Sequence, residues 1–493
     1  MSKYVRMCEA LAGSEALTTK NRRSAFHPER DDWPKDYEDE LRRKIWDNQG
    51  QMPCCYWHSY ARPLYDKIDP VSERLRGKYE EPRTEEGIPL LEVAKAKDWA
   101  DTLVNAIADW GPSTTVDKLL SLRRLFTVNC DIYDSFISVA SSKTNIKVEG
   151  SLPPLITLAP SHYWGPRTIN GEDVRSYFGS NVGVVSLPHS YRDVPLLWAT
   201  LAHEVGGHNV VHTLWPSSGT DEAAQGLVSE LKGKVLTMSG LTFGWNAVWS
   251  FWVEEAVSDV CALLCMGPAF ALSLAAWLAS VKATDLRSPL HRPGAVSNVV
   301  FTRGGKVIGE HPPDILRLHL ALGVIKLMTK RSQFISREWE DIGADVTQAV
   351  KGGRSHIDIH DHFQGAVVMR YNLAPLEADA QAVGALLAET PLEALGGRAL
   401  IDIQSWGADD EKMAEFVRRT ITQPGQITDN SGINSLHLLA GTAMAFHDDA
   451  SRHKELQECL LAAIDLRSEI NPHLSPPTSK KAPPTPSPSK TPD

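Results

Sequence analysis

The sequence lacks the features that direct a protein out of the cytoplasm. No apolar segment follows the first methionine of this 493-residue chain, so no secretory signal peptide is visible. Cysteine is scarce: the chain has seven, an odd number, and Cys54 and Cys55 are adjacent. This usage fits free thiols in a reducing compartment and argues against a disulfide framework. We therefore expect a cytoplasmic protein.

An excess of positive charge is also missing. Lys and Arg number 51 against 61 Asp and Glu, which gives a formal net charge of −10. The chain therefore lacks the broad basic surface that contacts with nucleic-acid phosphates require. Hydrophobic residues make up 42% and charged residues 23%, which is typical of a globular protein and excludes a mainly disordered one. We find no internal repeat.

One uncharged run, residues 260–281, is long enough to cross a membrane. Gly267 and Pro268 interrupt this run, it is rich in Ala and Ser, and no cluster of Lys or Arg flanks it. We predict two buried helices with Cys261 and Cys265 in the core, and we keep a membrane span as the less favoured alternative.

Changes in composition divide the chain into four regions. Residues 1–87 are dense in charge and tryptophan, whereas residues 88–290 contain helical patterns and two candidate strands at 155–160 and 182–188. Residues 291–470 are mainly helical in pattern, and the proline-rich residues 471–493 are typical of a disordered tail. We predict a mainly α-helical fold with a small β-sheet.

The strongest chemical signal is the segment LLWATLAHEVGGHNVVH, residues 196–212. Zinc hydrolases usually carry two His at i and i+4 on a helix, with a Glu after the first. Here His203 and His208 are five apart, which separates them by roughly 140° on a regular α-helix. One π-turn would reduce this angle to roughly 50°. Gly206 and Gly207 are costly in a helix but would permit such a bulge.

HEVGGH resembles the HExxGH motif of the dipeptidyl peptidase III family, whose zinc-binding helix carries the same insertion. The resemblance implies that His203 and His208 bind zinc and that Glu204 is the general base. One alternative stays open. Glu204, His208 and His212 lie at i, i+4 and i+8, so an unbulged helix would place them on one face as a buried polar network.

A second apolar helix, FWVEEAVSDV at 251–260, contains three acids. A buried carboxylate needs a partner to remain charged, so these acids point to a site. Glu255 and Asp259 match the ExxxD arrangement of gluzincin metallopeptidases. By that resemblance Glu255 is the third zinc ligand, Asp259 orients a ligand histidine, and Glu254 lies behind the ligands or contacts substrate. The alternative is a solvated acidic face.

A third segment, HPPDILRLHL, begins at His311. It is similar to the HPPxxxRL motif of CAAX-prenyl-protease and heat-shock membrane metallopeptidases. By that resemblance His311 is a candidate donor to a developing oxyanion, and Arg317 a candidate partner for the acids of the second helix. The membrane helices of those relatives have no clear counterpart in this chain.

Together these segments predict a gluzincin-like zinc metallopeptidase that holds one Zn²⁺ and hydrolyses peptide or protein substrates. The strand at 182–188 is a candidate edge along which an extended peptide lies. Two alternatives stay open. One is an inactive binding or scaffold protein that keeps the metallopeptidase fold, and the other is a zinc hydrolase of a non-peptide amide or ester.

A separate cluster, SHIDIHDHF at 355–363, alternates as a strand does. His356, Asp358, His360 and His362 therefore share one face. We favour a solvated edge strand over a second metal site, and we keep substrate contact as a third possibility.

Overall fold

The computed structural model describes most of the chain in separate stretches. These are residues 3, 6–7, 36–48, 52, 54–80, 88–144, 152–159, 165–213, 226–283, 299–303, 306–307, 311–332, 338–351, 353–361, 367–404, 406–423, 425–427 and 432–474. His362 and all but the first four residues of the predicted tail lie outside them. The predicted region boundaries at 87 and 290 do so too.

Helices dominate the described residues, as the sequence predicts. In chain order the α-helices are α1 (Tyr37–Asp47), α2 (Cys54–Tyr56), α3 (Arg62–Glu80), α4 (Ile88–Ala108), α5 (Val116–Thr144), α6 (Gly171–Phe178), α7 (Thr200–His203), α8 (Val210–Thr213), α9 (Leu227–Leu236), α10 (Trp245–Phe251), α11 (Val253–Met266), α12 (Ala269–Ala283), α13 (Asp314–Arg331), α14 (Glu338–Lys351), α15 (Leu373–Glu389), α16 (Leu400–Ile403), α17 (Ala408–Thr420), α18 (Ser435–Asp448) and α19 (His453–Glu469). Two π-helices, Trp57–Ala61 and Glu204–Asn209, connect neighbouring α-helices. Short 3₁₀ turns complete the set.

A three-stranded sheet lies beside the HEVGGH segment. Its strands are β1 (Leu155–Ala159), β2 (Arg167–Ile169) and β3 (Val184–Pro188). They are arranged in the order β1-β3-β2, with β1 parallel and β2 antiparallel to β3. The two candidate strands of the sequence are therefore confirmed. Because β3 is paired on both sides, the prediction that it offers a free edge to a peptide is wrong.

A second sheet has four strands, β4 (Val299–Arg303), β5 (Lys306–Val307), β6 (His356–Asp361) and β7 (Val367–Asn372), in the order β5-β4-β6-β7. The predicted strand of the His/Asp cluster is β6. It pairs in parallel with β4 and antiparallel with β7, so the prediction of an edge strand is wrong. The sequence had no signal for this pairing because β4 and β6 are distant in the chain.

The uncharged run forms two helices, as predicted. Helix α11 ends at Met266, and α12 begins at Ala269. Gly267 between them has a φ of +73°, and the Trp406 ring would lie 2.6 Å from a Cβ placed there. Both Cys261 and Cys265 are buried, in agreement with their predicted core positions. Among the described helices, none is long and apolar enough to cross a membrane.

Buried apolar side chains from Met7 to Ile464 form one continuous cluster. Helix α11 lies inside it: nearly all of its residues are buried, including Glu255 and Asp259. Helices α7 and α13 and the π-helix at Glu204–Asn209 pack against α11. The chemically distinctive segments therefore meet at one buried helix.

Candidate metal centre

A π-helix accommodates the five-residue spacing between the two histidines. It covers Glu204–Asn209 and joins α7 to α8 without a break. The wide turn places His203 and His208 on the same side, with their Nε2 atoms 3.2 Å apart and their rings perpendicular. The alternative of an unbulged helix with Glu204, His208 and His212 on one face is therefore wrong.

The second glycine of the motif lets α11 approach this π-helix closely. A Cβ placed on Gly207 would lie 2.4 Å from the Cβ of Ser258 and 2.5 Å from its Cα. No side chain fits in that space, so the two backbones meet directly. Ser258 follows Glu255 by less than one turn, which brings the carboxylate to the histidines.

Three potential ligands converge where the helices meet. Glu255 places Oε2 3.3 Å from His203 Nε2 and Oε1 3.4 Å from His208 Nε2. One ligand atom from each of the three residues lies within 4.8 Å of the others, and no second group of this kind occurs among the described residues. Two imidazole nitrogens and one carboxylate oxygen are the donor set of catalytic zinc sites.

The carboxylate of Glu255 supports this fit. Its side chain is buried, and its Oε2 atom makes no hydrogen bond of acceptable geometry within the described structure, although His203 Nε2 lies 3.3 Å away. A buried, unsatisfied carboxylate oxygen is costly unless a cation neutralises it. Burial alone would raise the pKa of Glu255, but the neighbouring imidazoles of His208 and His203 hold that pKa well below its usual range.

His203 is oriented from its other ring nitrogen. Its Nδ1 lies 2.9 Å from Asp259 Oδ1. Arg317 in turn donates from Nε to Asp259 Oδ2 at 2.8 Å and from Nη2 to Oδ1 at 2.7 Å. Asp259 and Arg317 are both buried, and this pairing keeps the pKa of Asp259 low although burial opposes ionisation. A carboxylate on Nδ1 directs Nε2 of a metal-binding histidine towards its metal.

His208 has a similar partner on the opposite side. Its Nδ1 lies 3.5 Å from Glu254 Oε1, and the same oxygen lies 3.1 Å from His212 Nε2. His212 Nδ1 then reaches Glu172 Oε2 on α6 at 3.1 Å. Sequence reasoning gave Glu254 a place behind the ligands but found no role for Glu172, because α6 is far from this segment in the chain.

Glu204 points towards the small sheet. Its Oε2 accepts a hydrogen bond from Thr168 Oγ1 on β2 at 2.7 Å, and the Glu204 side chain is largely buried. Strand β2 is at the end of its sheet, and its other edge has no partner strand among the described residues. Thr168 was missed at the sequence level because a three-residue strand leaves no periodic pattern.

The HPP segment also reaches the centre. His311 Nε2 lies 3.3 Å from Glu255 Oε1, and 57% of the His311 side chain is exposed. It precedes α13, the helix that carries Arg317 to Asp259. The HPP segment and the helix after it thus bring the half-exposed His311 imidazole to Glu255 and the buried Arg317 guanidinium to Asp259.

The second His/Asp cluster does not join this centre. Arg370 donates to Asp358 at 2.6 Å, and this cation on the same face opposes binding of a metal ion. Neither His356 nor His360 belongs to a metal-binding group among the described residues. Ile357 is buried on the opposite face, as the alternation predicts.

Residues predicted from three separate segments therefore meet at one place: His203, His208, Glu254, Glu255, Asp259, His311 and Arg317. The Glu204 carboxylate is bonded to Thr168 and is near enough to act electrostatically on His208. No protein-family model, curated protein or solved structure matches this chain.

Proposed function

We propose that this protein is a gluzincin-like zinc peptidase. The observation that carries the proposal is the convergence of His203, His208 and Glu255, with a buried Glu255 oxygen that no hydrogen bond satisfies. Three protein ligands of this type leave one position for water, which is the difference between a catalytic and a structural zinc site.

Zinc at this position would supply Lewis acidity, which lowers the pKa of a water molecule towards about 7 and polarises a carbonyl group. Glu204 is adjacent to the ligand His203 and would act as the general base. Thr168 Oγ1 already donates a hydrogen bond to Glu204 Oε2 at 2.7 Å, so we assign uptake of the proton to the other carboxylate oxygen, Oε1. The deprotonated water would attack the carbonyl carbon to form the new C–O bond. Glu204 Oε1 would then give the proton to the amine nitrogen as the C–N bond breaks.

His311 would stabilise the negative charge that develops on the substrate oxygen. Its imidazole is close to Glu255 yet more than half exposed, so one face is open to a substrate. A positioned donor of this kind typically contributes a factor of about 10²–10³ to the rate. Arg317 serves a different purpose, because its guanidinium is buried against Asp259 and holds the His203 ring in place.

A peptide is the substrate that the surroundings favour. Strand β2 contacts Glu204 through Thr168 and has a free edge in the described sheet. An extended peptide binds such an edge through its backbone amides, with little demand on its side chains. The scissile peptide bond would then lie beside Glu204.

The test is hydrolysis of a mixed peptide library by the zinc-loaded protein, followed by mass spectrometry. Glu204→Gln is the matched control, since it keeps the size and polarity of the side chain but cannot take up a proton. We expect cleavage by the wild type and a loss of at least about 10²-fold in the variant. Equal cleavage by both proteins would reject Glu204 as the base, and no cleavage by the loaded wild type would reject the peptidase.

A further inference from the structure

Each of the two histidines contacts a carboxylate through Nδ1, and that carboxylate also contacts a cationic side chain. The inner network is His203, Asp259 and Arg317. The outer network is His208, Glu254 and His212. On the buried side, His203 Nδ1 contacts Asp259, and the Arg317 guanidinium grips that carboxylate at 2.7 and 2.8 Å. On the outer side, His208 Nδ1 faces Glu254, and His212 Nε2 contacts the same carboxylate at 3.1 Å. His212 therefore contacts the Glu254 carboxylate in the same way that Arg317 contacts the Asp259 carboxylate.

The carboxylate of the outer network needs a fixing partner more than the carboxylate of the inner network does. Asp259 is fully buried, whereas 40% of the Glu254 side chain is exposed to solvent. A half-exposed glutamate turns freely among its rotamers unless a partner fixes it. His212 is itself fixed at both ring nitrogens, because Glu172 Oε2 lies 3.1 Å from its Nδ1.

Two elements position these residues. The π-helix that contains His208 ends at Asn209, and His212 lies in the regular helical turn that follows. The two rings lie on the same side, since both reach Glu254 Oε1. Glu172 lies in the first turn of α6, whose N-terminus is capped by Asn170 through a 2.8 Å bond from Asp173 N. Glu172 thus comes from a short helix with a defined start and not from a mobile loop.

The charge of His212 fits this arrangement. Burial lowers its pKa, but its bonds to Glu172 and Glu254 raise it to about 9. The ring is thus an imidazolium at neutral pH, and both of its N–H groups donate to carboxylates.

We infer that His212 and Glu172 are positioning residues for the proposed zinc ligand His208, and that they act through Glu254. The inference rests on the proposed zinc site. With Glu254 fixed, its carboxylate accepts the Nδ1–H of His208 and leaves Nε2 with the lone pair for the metal. Partners behind a ligand of this kind typically change metal affinity by about 10–100-fold.

The experiment measures zinc affinity of the full-length, zinc-free protein by competition with a fluorescent zinc indicator. We expect His212→Ala and Glu254→Ala each to weaken zinc binding about tenfold. The double variant should be no weaker than Glu254→Ala alone, because His212 acts through that carboxylate. His212→Gln keeps an N–H donor for Glu254 and should recover most of the affinity.

Two further variants separate positioning from general stability. Glu172→Ala removes only the outermost, half-exposed carboxylate and should weaken zinc binding by a smaller factor in a fully folded protein. His473→Ala is the matched control, because His473 Nε2 also pairs with a carboxylate, Asp134 Oδ2, at 3.0 Å without belonging to the zinc-ligand cluster. Its zinc affinity should equal that of the wild type.

Wild-type affinity in His212→Ala and Glu172→Ala would overturn the inference. A His212→Ala effect that persists undiminished in the Glu254→Ala background would also overturn it. A wild-type protein that binds no zinc would instead reject the proposed site itself, so the two failures are distinguishable.

Discussion

Gly207 and Ser258 are in direct contact, and this contact joins the two elements that carry the proposed metal ligands. A Cβ on Gly207 would lie 2.5 Å from the Ser258 Cα, so α11 packs on bare backbone of the π-helix. His208 follows Gly207, and Glu255 precedes Ser258 by three residues. The absence of a side chain at Gly207 thus sets the distance between the His208 imidazole and the Glu255 carboxylate, the two proposed ligands on these elements.

Substitution of Gly207 by Ala should separate these elements. We expect Gly207→Ala to destabilise the protein by about 1–3 kcal/mol, the usual cost of an added methyl group in a packed core, and to reduce zinc binding. The measurement is urea unfolding together with metal analysis. Gly233→Ala in α9 is the control, because its Cβ would have nothing within 4 Å. That variant should be as stable as the wild type or slightly more so.

Loss of charge at Asp259 should weaken the contact that orients His203 and leave the buried Arg317 guanidinium without its carboxylate partner. We expect Asp259→Asn to weaken zinc binding by about 10–100-fold. Stability should fall by about 3 kcal/mol or more, since a buried cation loses its partner. Asp358→Asn removes the partner of the exposed Arg370 and should change stability by less than about 1 kcal/mol. Similar losses of stability in both variants would contradict the structural account of Asp259.

Thr168 should affect turnover without affecting the metal. Its hydroxyl holds Glu204 Oε2, so Thr168→Val should lower kcat while zinc content and KM stay close to those of the wild type. Thr168→Ser keeps the hydroxyl and should restore most of the rate. A Thr168→Val protein with normal kcat would show that the hydrogen bond does not position the base.

The stability contributed by His212 should depend on pH in one direction. Its pKa rises from 6.5 to about 9 on folding, because Glu172 and Glu254 outweigh burial. The folded protein therefore binds the proton more tightly, so the contribution is complete below about pH 6.5 and is lost as the pH rises through 9. In urea unfolding of the zinc-free protein, the advantage of the wild type over His212→Gln should shrink between pH 7 and pH 10. A constant difference would contradict this titration.

Local patterns in the sequence predicted much of the fold. The glycine at 267 ends one helix and separates it from the next, and the short apolar runs became β1 and β3. The spacing of His203 and His208 pointed to a π-turn, because only a wider turn brings the rings together, but the sequence left an unbulged helix open as an alternative. These features depend on residues close together in the chain.

Pairing between distant segments could not be predicted in this way. β6 gave a strand signal by its alternation, but its central place depends on β4, more than fifty residues earlier. The same holds for Thr168 beside Glu204 and for Glu172 beside His212. Each is an ordinary surface-type residue in its own segment and gains its place only when the helices and the small sheet pack together.

The proposal that His203, His208 and Glu255 hold one zinc ion is decided by the metal content of the protein. Full-length wild-type protein, His208→Ala and the control His473→Ala would be loaded with zinc, dialysed and measured by mass spectrometry of the metal. We expect one zinc per chain in the wild type and the control, and almost none in His208→Ala. Equal zinc in all three proteins, or no zinc in the wild type, would contradict it.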